Sequence, residues 1–203
     1  MPGTMSRADL IADLKASLMD SAAQFRAPDD ADFHRHLDAA ALAFGPHRSI
    51  RSVGSITLEA GRDTYAAPAD LWRFVSAIWG TTRSQPWERA WPGRLPTVSV
   101  SGADLVLLPA PTAHQISVLG AEYRFFYSAR PTVGTAAEET TVNAADRDLL
   151  IQRAQVQAMR ELAMRDSVRP QTLRDGFSGQ PKTGTPGWIA QSLLDDFERR
   201  IVQ

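Results

Sequence analysis

The chain has 203 residues, 43% of them hydrophobic, and a formal net charge of -1. That length supports one packed domain with an appendage, and the near-zero charge gives no overall field toward nucleic acid or an acidic membrane. There is no cysteine, which excludes disulfides, thiolate nucleophiles and Cys-ligated zinc or iron–sulfur sites and fits a reducing cytoplasm.

The opening "MPGTMSRADLIADLKASLMD" has no apolar core and carries acids throughout, so it is not expected to be a signal peptide. No run approaches the ~18 apolar residues of a membrane span, and there is no fixed-period repeat. "SRADLIADLKASLMDSA" predicts a helix. Ser6 is its N-cap, Asp9 makes a capping-box variant, and Leu10, Ile11, Leu14 and Leu18 form one stripe. After Pro28, Asp29 or Asp30 caps a second helix with Phe33, Leu37, Ala41 and Phe44 on its buried face, stopped at Gly45-Pro46.

From Ile50 the pattern turns to strands. "RSVGSITLEAG" alternates in part, Gly61 marks a turn, Tyr65 sits in a short extended piece, and "LWRFVSAIW" is β-branched and aromatic enough for a strand. "TTRSQPWERAWPGRLP" is a loop with two tryptophans. "TVSVSGADLVLLPAP" is a hairpin around Ser101-Gly102. "QISVLGAEYRFFYSARP" reads as one long strand, bulged at Gly120 and closed by Pro131.

"NAADRDLLIQRAQVQAMRELAMRDS" is a helix opened by Asn143 and Asp146. Leu150, Ala154, Ala158 and Leu162 share one face; Leu149, Val156, Met159 and Ala163 lie roughly opposite. A helix apolar on two sides is buried on two sides, so the second side needs a surface within the chain or on a neighbour. The polar stretch from Asp166 to Thr185 exceeds the ~12–15 residues usual for a loop inside a compact domain. Thr185-Pro186 then supplies an N-cap and first-turn pair. It opens a last helix with Ile189, Leu193, Phe197 and Ile201 at intervals of four, Trp188 and Leu194 on the flank, and Asp195, Glu198, Arg199 and Arg200 outside.

Chemistry is sparse. His34 and His36 are two apart and face different ways, so they do not form a metal pair, and His47 and His114 have no ligand pattern around them. "GFSGQPKT" fails as a phosphate loop because Pro181 replaces the second glycine and no apolar strand precedes it. There is no Gly-x-Ser-x-Gly elbow. No catalytic residue, metal ligand or cofactor is assigned. Trp87 and Trp91 either cover a sheet edge or anchor a protein interface. The arginines at 73, 83, 89, 94 and 124 are either solvated or turned toward DNA.

The order of these parts resembles head–tail connector (adaptor) proteins of tailed bacteriophages. "ITLEAGRDTYAAPADLWRFVSAIW" looks like their strand, acid/Ala-Gly, Tyr, Pro-x-Asp, strand signature. "LVLLPAPTAHQISVLGAEYRFFYSARP" and "DRDLLIQRAQVQAMRELA" are similar to the segments that follow it. The resemblance runs from the first helix to Asp166; the tryptophan loop has no counterpart in it. It implies an α+β fold, a small α-helical bundle with a β-rich insertion. It further implies a ring, commonly twelve-fold, beneath the portal of the filled capsid, with genome DNA passing through its centre. The partners implied are the portal and a stopper or tail protein. No enzymatic activity is implied. The location would be the virion neck, after assembly in the bacterial host cytoplasm.

The expected organisation is a bundle over 1–165 with its insertion at about 50–130, then an extended arm and docking helix over 166–203. The expected portal-binding residues are Trp188, Ile189, Leu193, Leu194, Phe197, Arg199, Arg200 and Ile201. The expected subunit interface is Leu149, Val156, Met159 and Ala163, and the expected tail-side contact is Trp87 and Trp91. Three alternatives stay open: a tail-tube-proximal protein of a short-tailed phage, a small hydrolase using carboxylates around Asp104 and Glu122, and a ligand-binding module built on the tryptophan loop.

Overall fold

The computed structural model describes residues 4–80, 84–167 and 185–202. In chain order its helices and strands begin with α1 (Arg7–Leu18), α2 (Ala31–Leu42), β1 (Ile50–Thr57), β2 (Thr64–Ala66) and β3 (Leu71–Ala77). They continue with β4 (Thr97–Ser101), β5 (Asp104–Leu108), α3 (Ala113–Leu119), β6 (Glu122–Ala129), α4 (Arg147–Ser167) and α5 (Pro186–Ile201). The chain divides into two units, Met1–Arg48 with Pro131–Gln203, and Ser49–Arg130. The first is helical and the second carries the strands, so the fold class is α+β as expected. The stretch 168–184, which holds most of the expected arm and the "GFSGQPKT" motif, lies outside the described residues.

The helical unit follows its apolar periodicity. The Ser6 side chain accepts the Asp9 amide and starts α1; the Asp9 carboxylate in turn accepts the Thr4 amide at 3.1 Å. Leu10 and Leu14 of α1, Leu37 and Ala40 of α2, and Leu150, Ala154 and Ala158 of α4 form the fully buried centre. α2 opens differently from expectation. Asp30 stands at its N-cap in the left-handed region (φ 57) and makes no side-chain cap bond; its carboxylate binds Lys15 Nζ at 2.7 Å instead. An ion pair between α1 and the start of α2 stands where the cap bond was expected.

The strand unit holds two antiparallel three-stranded sheets, ordered β1-β6-β3 and β2-β5-β4. On β6 the residues Tyr123, Phe125 and Tyr127 alternate inward to the core. The Phe125 ring lies across β1 at Gly54, where a Cβ would stand 2.4 Å from a ring carbon. Glycine is required there by close approach rather than by backbone angle. Tyr65 pins the Gly61 turn: its hydroxyl accepts the Glu59 amide at 3.0 Å and donates to the Arg62 carbonyl at 3.0 Å.

One predicted element is corrected. The expected long strand from Gln115 is a helix followed by a strand. The Thr112 side chain accepts the Gln115 amide, the Gln115 side chain returns to the Thr112 amide, and this capping box starts α3. Gly120, at φ 88, ends α3, and only Glu122–Ala129 is strand. The local capping chemistry overrides the β-branched composition.

Candidate interaction surfaces

The second apolar side of α4 is covered by α5 of the same chain. Gln152 Nε2 donates to the Leu193 carbonyl at 3.2 Å and to Asp196 Oδ2 at 2.8 Å. Arg200 Nη1 donates to Gln152 Oε1 at 3.0 Å. At the other end, Gly187 approaches Ala163, leaving 3.8 Å between a Cβ placed on the glycine and the alanine's own. These two registers make α5 antiparallel to α4. Phe197 meets Phe44 edge-on at 5.6 Å between ring centroids, and the Arg153 guanidinium sits 5.7 Å over the Phe197 ring. Arg48 closes the end of α5, donating to the Ile201 carbonyl at 3.3 Å while paired with Asp146.

This places the expected interface residues differently from the sequence reading. Val156 is fully buried and Leu149 nearly so within the single chain, while Met159 and Ala163 are half-buried. Phe197 and Ile201 are 3% and 2% exposed. The two surfaces that looked spare, one on each helix, satisfy each other. The buried face of α5 is also rotated from the expected stripe: it runs through Ala190, Phe197 and Ile201, with Leu194 half-buried against the core and Ile189 and Leu193 half-buried at the edge. The small Ala190 and Gly187 let the helices approach closely. What faces outward is Trp188, 47% exposed, with Arg199. Together with Gln191, Ser192, Asp195 and Glu198 they line a shallow groove.

The tryptophan loop carries Trp87 at its exposed tip, 81% accessible, so Trp87 is not a core residue. Trp91 is better held. Its carbonyl accepts from His114 Nε2 of α3 at 3.0 Å, and Gln115 Nε2 donates to the Arg94 carbonyl at 2.8 Å. α3, which the sequence reading missed, thus anchors the far end of this loop.

A second cluster was not foreseen. His36 of α2 is buried, and its Nε2 donates to Glu161 Oε2 of α4 at 2.9 Å. Arg35 meets the same carboxylate at 2.6 Å and Asp32 at 2.9 Å; Arg165 pairs with Glu161 and lies 3.5 Å from Asp32. Burial pushes the imidazole below its ordinary value, and Glu161 only partly offsets this. Burial pushes Glu161 up, but hydrogen bonds from His36 and Arg35 outweigh it and hold the carboxyl below its ordinary range. The histidine is therefore neutral, and its Nδ1 is left without a partner beside Phe25 and Phe33. The only sequence signal was the position of His36 three residues after Phe33, on the apolar side of the helix.

The carboxylates of the hydrolase alternative carry separate contacts. Asp104 stands opposite Ser101 in the β4–β5 hairpin, and Glu122 accepts from Ser55 Oγ at 3.0 Å on the other sheet. Among the described residues no cluster of three or more metal-ligating side chains occurs, and no helix is long and apolar enough to cross a membrane.

No curated protein matches the chain. Among solved structures, a chain described as "Neck of empty GTA particle computed with C6 symmetry" is 13% identical, with 90% of this chain and 87% of that one covered and a TM-score of 0.29. The model of the SU10 adaptor protein family matches residues 5–180. That match takes in both units and α1 through α4 and stops before α5; the chain belongs to the SU10 adaptor protein family.

Proposed function

We propose that the protein is a structural element of the neck of a tailed phage or phage-like particle, where it joins the capsid portal to the tail. The family match over residues 5–180 carries this reading and supports a connector role. Its finer content is a homo-oligomeric ring of about twelve copies, with the portal on one side, a stopper or tail protein on the other, and genome DNA passing through the lumen. Such a protein assembles in the host cytoplasm and does no covalent chemistry.

The portal contact falls to the outward side of α5, led by Trp188 and Arg199, with Leu193 and Ile189 at its edge. Phe197, Ile201 and Leu194 hold α5 on α4 and support that contact from beneath, and Arg200 is engaged by Gln152. Trp87 supplies the tail-side contact, with Trp91 fixing the loop that carries it. The subunit interface uses the exposed margins of Met159 and Ala163. Mixing the purified chain with portal rings and imaging the product tests the proposal. Density for a stacked ring beneath the portal is expected. A chain that stays monomeric and never enters particles overturns it.

A further inference from the structure

The outer face of the β1-β6-β3 sheet is read from the strand register. Tyr123, Phe125 and Tyr127 point to the core, so Arg124, Phe126 and Ser128 lie on the opposite face, Arg124 exposed, Phe126 half-buried and Ser128 covered. Arg51 of β1 and Arg73 of β3 both stand opposite Ser128, one on each side of the central strand. Val53 and Ser76 both stand opposite Phe126 in the next row, and Ser55 stands opposite Arg124 in the row after. Val75 occupies the β3 bulge beside Ser76. Next to Arg73 the exposed Trp72 carries the Arg130 guanidinium 5.9 Å over its ring.

Two of the three guanidiniums on this face have no ion-pair partner among the described residues. Among the described residues, Arg51 and Arg73 are exposed and make no ion pair, and Arg124 reaches only Glu122, at 3.9 Å. Asp70, the acid nearest Arg73 in sequence, accepts from the Tyr127 hydroxyl at 2.9 Å. All the cations of Ser49–Arg130 are arginines, with no lysine, and arginine is the side chain suited to phosphate forks and to stacking on flat groups. The guanidiniums do not converge on one point. Arg51 and Arg73 are two strand spacings apart, about 10 Å, and Arg124 is four residues further along, about 13 Å. Between them lies an apolar strip of Phe126, Val53 and Val75.

We propose that this sheet face binds the phosphate backbone of nucleic acid without regard to sequence. A convergent cluster would select one carboxylate or phosphate. A dispersed set of exposed guanidiniums, two unpaired and one only loosely paired, meets a polymer that offers charge continuously, as duplex DNA does at about one charge per 1.7 Å of axis. Register then does not matter, and the polymer can slide. The chain's net charge of -1 gives no sign of this because acids elsewhere cancel it; the unpaired charge is local. The inference deepens the connector reading by naming the surface that meets the genome.

The test is fluorescence anisotropy on the full chain with three probes: a labelled duplex of arbitrary sequence, a labelled oligo(dT) strand, and a labelled polyglutamate peptide. The triple variant Arg51→Gln, Arg73→Gln, Arg124→Gln should weaken duplex binding more than tenfold at about 50 mM salt and cut the log–log salt slope by about 2.7, near 0.9 for each lost phosphate contact. Arg26→Gln, an exposed arginine of the helical unit, should change neither. Glu122→Gln removes the one carboxylate beside Arg124 and should tighten binding, a gain that misfolding would not produce. Equal losses on duplex and single strand identify the backbone as the shared ligand, and a loss confined to one probe assigns the face to that form. No duplex or strand binding by the unaltered chain, an unchanged slope in the triple variant, or binding to polyglutamate alone overturns the proposal. A triple variant that still enters particles separates this outcome from failure of the connector reading, in which the unaltered chain itself never enters them.

Discussion

His36 is held neutral by burial in a cluster of charges, and its titration has a definite sign. The folded imidazole binds its proton less well than the ordinary value of 6.5. Above that value it has no effect on stability. As pH falls below it, the unfolded chain takes up a proton that the folded one resists, so stability declines. Glu161, held below its ordinary 4.5, adds a further loss at lower pH as its carboxylate is protonated. The melting temperature should therefore fall between pH 7 and pH 5, and His36→Gln should flatten that fall; a wild-type profile that rises on acidification refutes the assignment. Gly54 makes the companion prediction. A methyl group there meets Phe125 at 2.4 Å, so Gly54→Ala should cost about 1–3 kcal/mol by overpacking, read as a lowered urea midpoint. An unchanged midpoint means the ring moves freely. Neither residue was readable in advance. Periodicity assigns a face but does not say which partner crosses it, and the hydrogen-bond partner of His36 comes from α4, 125 residues away.

At the scale of elements, the sequence was legible where local chemistry acts alone. Ser6, Asn143 and Thr185 cap where their side chains indicated, and the Gly102 hairpin forms as its alternation required. It was less legible where two signals compete. The segment from Gln115 to Leu119 is short and β-branched, and only its capping box tips it to helix. Thr112→Ala should cost about 1 kcal/mol by removing that cap and should loosen the Trp91 end of the loop that α3 holds. Increased amide exchange at 91–95 checks this, and unchanged exchange there contradicts it. For α5 the stripe was readable but its destination was not, because spacing cannot distinguish a home surface from a foreign one. The structure turns Phe197 and Ile201 of that stripe into the helical core and leaves Ile189 and Leu193 at its edge, so Phe197→Ala should cost about 3–5 kcal/mol. Deleting 186–203 should lower the melting temperature and expose Val156, detected as increased dye binding. A truncated chain that melts like the full one contradicts the α4–α5 packing.

For the whole molecule, the two sides of α5 separate stability from assembly. Its inner side is a core surface, with Phe197 between Phe44 and Arg153. Its outer side holds Trp188, which contributes little to the fold at 47% exposure, beside Arg199, which pairs with Asp196 three residues earlier, at the margin where α5 meets α4. Exposed i,i+3 pairs of this kind are worth well under 1 kcal/mol, so both outer side chains are available to a partner at small cost. Buried aromatics and arginines are the side chains that dominate protein interfaces, at about 2 kcal/mol or more each. Trp188→Ala and Arg199→Glu should therefore each weaken capture by immobilised portal rings at least tenfold, the equivalent of about 1.4 kcal/mol, while leaving the melting temperature within a degree or two. Trp87→Ala, at the loop tip of the strand unit, should leave both properties intact and reduce tail attachment to finished heads. Outer-face variants that bind portal with full affinity remove α5 from the portal contact. Variants that lose binding and melting temperature together show that the outer face also serves the fold. A Trp87→Ala chain that supports full infectivity removes the tryptophan loop from the tail-side contact.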